Sequence, residues 1–84
     1  VDPDAIQPKD IDIVRRMYQL TGAEARLAGA LLAGDSLRHA AEAAGITYET
    51  ARWYLKALFQ KTDTNRQAEL VARLMRDIAA TPLI

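Results

Sequence analysis

The chain has 84 residues, no cysteine and a formal net charge of zero. That bounds it to one domain, which must bury its core without disulfides or a thiolate-held metal. No apolar run approaches the roughly 20 residues that span a bilayer, and the start lacks the basic-then-apolar layout of a signal peptide, so a soluble cytoplasmic protein is expected. Sixteen alanines against five aromatic residues favour an all-α fold, because alanine has the best helix propensity and lets helices approach closely. Charge is unevenly placed: residues 1–13 sum to −3 and residues 14–76 to +4. A basic body behind an acidic leader is compatible with a nucleic-acid partner.

Residues 1–9 hold two prolines and little apolar periodicity, and read as a linker or disordered leader. A helical domain is expected over 10–80, with 81–84 as a tail. From Asp10, the spacing of Ile11, Val14, Met17 and Tyr18 predicts a short leading helix. Thr21 followed by Glu24 is a capping box that opens the next helix. Leu27, Ala28 and Leu31 make its apolar stripe and Gly34 stops it. Gly29, inside that helix, costs about 1 kcal/mol relative to alanine, which suggests that a neighbouring backbone comes close.

Ser36 caps a third helix over about 36–44, with Ala40, Ala41 and Ala44 as a small inner face. Gly45 permits the left-handed turn that ends it, and Thr47 caps the following helix. Two short helices joined by a tight glycine turn make the pattern of a helix-turn-helix. The run 62–65 reads as a turn. Thr64 with Gln67 offers a second capping box for a last helix through about Ala79, whose stripe is Leu70, Val71 and Leu74, and Pro82 closes the chain.

On a wheel at 100° per residue, the helix over about 47–61 buries Ala51, Tyr54, Leu55, Leu58 and Thr62, flanked by Phe59. The opposite arc holds Glu49, Arg52, Trp53, Lys56 and Gln60. Arg52 and Lys56 lie four apart on one strip, and such side chains on a helix in the major groove can donate to guanine O6 and N7. A large indole beside them on a solvent face implies that it covers something: a thymine methyl, a sugar or a partner protein. The plainer reading is a solvated helix face with an Arg52–Glu49 surface pair worth a few tenths of a kcal/mol. Trp53 also turns into the core if the helix rotation differs from this wheel.

The words Leu20-Thr-Gly-Ala-Glu24, Leu31-Leu-Ala-Gly34-Asp-Ser36, Ala41-Glu-Ala-Ala-Gly45-Ile-Thr47-Tyr-Glu-Thr50-Ala51-Arg52, Leu55-Lys-Ala-Leu58-Phe59-Gln-Lys61 and Arg66-Gln-Ala-Glu69-Leu-Val71 resemble the LuxR-type helix-turn-helix family over about residues 20–72. The resemblance implies a four-helix DNA-binding domain, here with a short extra leading helix. In that family it commonly ends a bacterial transcription regulator, behind a sensory or receiver domain. It further implies base contacts from Arg52, Trp53 and Lys56, and backbone contacts from Ser36, Thr47, Tyr48, Thr50 and Lys61. The partners are double-stranded DNA, a second copy through the helix at about 64–79 (Met75 being a candidate exposed residue there), and RNA polymerase. The sequence departs from the family at Gly22 (commonly proline), Leu37 (often polar), Ala51 (commonly valine), Tyr54 (commonly histidine) and Asp63 (usually glycine). Aspartate tolerates the left-handed backbone expected at that last site.

Other chemistry finds little support. His39 is the only histidine and cannot build a zinc site without clustered ligands. Glu24 is accounted for by the capping box, and no arrangement suits nucleophilic catalysis or a phosphate-cradling loop. Neither enzymatic activity nor a cofactor or metal is expected. Two rivals to the LuxR-type reading stay open. One is a helix-turn-helix serving as a protein-interaction or dimerisation module with Trp53 as anchor; the other is a helix-turn-helix of another regulator class, such as a promoter-reading sigma domain.

Overall fold

A computed structural model describes residues 8–80, which form five helices with no strand among them. The chain is all-α. The helices are α1 (Pro8–Tyr18), α2 (Gly22–Leu32), α3 (Leu37–Ala44), α4 (Tyr48–Thr62) and α5 (Gln67–Ala80). The leader over 1–7 and the tail over 81–84, with Pro82, lie outside the described residues. Pro8 and Lys9, expected in the leader, form the start of α1 instead. Proline is tolerated there because an amide in the first turn has no intrahelical partner to lose.

Local signals set the first three junctions. Beyond α1, Gln19 takes a left-handed backbone (φ 56°), and the Leu20 amide bonds back to the Arg15 carbonyl at 2.9 Å. The capping box is present in both directions: the Glu24 amide donates to Thr21 Oγ1 at 3.1 Å and the Thr21 amide to Glu24 Oε1 at 2.9 Å. Gly34, at φ 98°, ends α2 as expected. Ser36 Oγ accepts from the His39 amide at 3.2 Å, and Gly45 (φ 73°) closes α3. Thr47 Oγ1 accepts from the Thr50 amide at 3.1 Å to open α4. Asp63 ends α4 in the left-handed region (φ 56°).

The start of α5 differs from the expected capping box. Thr64 is buried, and its hydroxyl pairs with Thr62 Oγ1 at 2.8 Å, while Thr62 donates to the Leu58 carbonyl at 2.7 Å. A buried hydroxyl without a partner is costly, so Thr64 turns inward to Thr62. Glu69 Oε1 instead accepts from the Asn65 amide just ahead of α5 at 2.8 Å.

Helix α2 is the scaffold, touching each of the other four helices, while α3 packs on α4 and α5 rests on α1 and α4. Leu27, Leu31, Leu58, Leu70, Leu74 and Val14 are the largest fully buried apolar side chains. At the α3–α4 corner the core narrows to Ala40, Ala41 and Ala51, all buried; side chains of a single methyl let the two helices close on each other across a short turn. The leading-helix stripe holds at Val14 and, in part, at Ile11 and Tyr18. Met17, expected on that stripe, is 49% exposed. Gly29 also has a different neighbour from the one expected. A Cβ there meets the Ile11 side chain, 3.3 Å from Cδ1, and not another backbone.

Candidate nucleic-acid interface

The orientation of α4 follows from which of its residues the core accepts. Ala51, Leu58 and Thr62 are buried on one side, and Tyr54, Leu55 and Phe59 are half-buried beside them. That leaves the opposite arc to solvent, where Glu49, Arg52, Trp53, Lys56 and Gln60 are all exposed. Trp53 stands out at 81% exposure, so the indole faces outward as the wheel predicts. Arg52 and Lys56 form no ion pair among the described residues.

Between this ridge and α3 runs an open groove. Leu37, Tyr48, Trp53, Leu55 and Phe59 line it together with Glu49, Arg52 and Lys56. Leu37, where the resembled family is often polar, supplies apolar surface. One member of the surface escaped the sequence reading: the Arg38 guanidinium sits 4.5 Å over the Tyr48 ring, a cation–π contact joining α3 to the first turn of α4. The spacing of ten residues across a turn gives no periodic signal for such a pair.

The residues expected at the DNA backbone fall into two groups. Ser36, Thr47, Tyr48 and Thr50 stand at the starts of α3 and α4. The hydroxyls are already used locally: Ser36 and Thr47 as caps, and Thr47 as donor to Thr50 Oγ1 at 2.9 Å. Lys61 is separate from them. At the far end of α4, its Nζ donates to Glu24 Oε1 at 2.6 Å and to the Gln19 carbonyl at 3.2 Å. An ammonium so engaged is an internal tie.

Glu24 therefore does more than cap. Burial pushes its carboxyl pKa up, but the Lys61 ammonium and the Thr21 amide outweigh this and hold it below the ordinary value. The pair fixes the end of α4 to the start of α2 and to the α1–α2 corner. On the other side of the molecule, the Tyr18 hydroxyl donates to Asp77, tying α1 to α5. Burial, then the Asp77 carboxylate, push the Tyr18 pKa up, with Arg73 opposing. His39 is exposed, and no group of three or more metal-capable side chains occurs among the described residues. Nor is any described helix long and apolar enough to cross a membrane.

No family model, curated protein or solved structure matches this chain. The resemblance to the LuxR-type family accordingly rests on the sequence of residues 20–72 alone.

Proposed function

We propose that this chain is a LuxR-type helix-turn-helix module of a bacterial transcription regulator that acts in the cytoplasm and binds duplex DNA sequence-selectively, with α4 in the major groove. The observation that carries the reading is the outward arc of α4. Two cations with no ion pair among the described residues and an exposed indole stand on a helix whose other side is locked into the core and whose N-terminus follows a tight turn from α3. A major groove about 12 Å wide admits one such helix, with Arg52 and Lys56 as donors to base acceptors. Ser36, Thr47, Tyr48 and Thr50 stand at two adjacent helix starts, where the helix dipole favours anions, and are the proposed phosphate contacts. Lys61 is left out of this set.

A homodimer is part of the proposal. On α5, Ala68, Ala72, Met75 and Ala79 are all exposed and repeat at intervals of four, three and four, the spacing of a helix–helix seam. Two copies joined there would address two half-sites, and RNA polymerase would be the further partner of a regulator of this kind.

Fluorescence anisotropy of the chain on a library of duplexes, at low and near-physiological salt, tests the reading. DNA binding weakens steeply as salt rises, and Arg52→Ala with Lys56→Ala should abolish the selective part. Salt-resistant binding to a protein through Trp53 would instead favour the interaction-module reading, which the exposure of that indole keeps in play.

A further inference from the structure

Hydrogen bonding to base edges leaves the largest exposed side chain of α4 without a use. Trp53 is 81% exposed and stands between two shallow grooves. One is the groove toward α3; the other is formed with Thr50 and Tyr54, and Glu49 lines both. It covers no core surface, so stability of the fold does not account for it. An indole offers a single N–H donor and is otherwise flat and apolar. Its neighbours narrow the choice of occupant. Arg52 precedes it, Lys56 follows three residues on and lies next to it on the helix surface, and Arg38 tops Tyr48 at the groove's edge. Three cations against Glu49 complement a polyanion. The apolar feature that a duplex presents in its major groove is the thymine C5 methyl.

We infer that Trp53 is a specificity-determining residue, packing its indole on a thymine methyl next to the bases addressed by Arg52 and Lys56. The inference rests on the DNA reading proposed above. Trp53 and Lys56 are three residues apart, about 4.5 Å of helix rise, so the methyl lies close to the pair read by Lys56. Removing one methyl from such a contact forfeits about 0.8 kcal/mol of apolar burial, a loss of about fourfold in affinity.

The experiment selects duplexes from a random library with the full 84-residue chain at low salt. It then replaces each thymine of the selected duplex in turn by uracil, which deletes only the methyl. Wild type should lose about fourfold at one or two adjacent positions. Trp53→Ala, an exposed change that leaves the core intact, should bind more weakly and show no methyl dependence, whereas Arg52→Ala should keep it. Selective DNA binding that ignores every uracil, or a methyl dependence that persists in Trp53→Ala, overturns the inference and leaves the DNA reading standing. Failure of the folded chain to select any duplex removes that reading and this inference with it.

Discussion

The two ends of α4 make opposite use of the same residue types. Lys56 and Lys61 lie five residues apart on one helix. Lys56 stands in solvent beside Arg52 and Trp53, while Lys61 is bound to the Glu24 carboxylate and the Gln19 carbonyl. Toward the C-terminus the hydroxyls of Thr62 and Thr64 are buried and paired, whereas near the N-terminus those of Thr47 and Thr50 pair at an exposed turn. One end anchors the helix to α1 and α2; the outward face toward the other end presents it. The difference teaches that a lysine's identity says little about its use until the carboxylates of distant elements are placed.

The contrast can be broken at its foundation first. Leu58 is fully buried beneath the whole helix, so Leu58→Ala should cost about 2–5 kcal/mol in urea unfolding and disturb both ends together. At the anchored end, Lys61→Met leaves a nearly buried carboxylate short of its cation. About 1–3 kcal/mol of stability should be lost, less toward the low end because Lys61 is one-third exposed.

Acid sharpens that result. The Glu24 carboxyl has a folded pKa below its ordinary value of 4.5. Its contribution is therefore complete above that value and disappears as pH falls through the depressed folded pKa. As pH falls from neutrality through the depressed folded pKa, wild type should lose the increment that Lys61→Met has already lost, and the gap between the two unfolding curves should close. A gap that stays constant in acid would contradict the pairing.

At the open face the effects should move from stability to binding. Arg52→Ala and Lys56→Ala should each weaken selective DNA binding by about 1–3 kcal/mol. Exposed substitutions of this kind keep stability within about 0.5 kcal/mol of wild type, and Trp53→Ala should show the same small change in unfolding. A large destabilisation by Trp53→Ala would mean that the indole packs on its own chain.

Much of this fold was legible because its signals are local. Capping at Thr21, Ser36 and Thr47, and the left-handed backbone at Gly34 and Gly45, each depend on a few neighbouring residues. The outward direction of Trp53 follows from helix periodicity alone. What escaped depends on burial and on partners set by packing. Thr64 is not a cap because it is buried and its hydroxyl turns to Thr62, two residues earlier. Lys61 is not a free cation because Glu24, 37 residues earlier, lies against it. Met17 keeps the spacing of a core residue, yet it stays 49% exposed among the described residues. Gly29 is tight against Ile11, whose approach is set by how α1 crosses α2. Among site residues, Arg38 joined the surface only when α3 and α4 were set side by side.

The most direct test of the account is the ratio of affinities for a selected duplex over a scrambled one, measured for wild type, Arg52→Ala/Lys56→Ala and Lys61→Met at one salt concentration. The ratio should collapse in the double variant and survive in Lys61→Met at a temperature where both are folded. A ratio retained by the double variant, or lost equally in Lys61→Met, would contradict the division of α4 into a reading face and an anchored end.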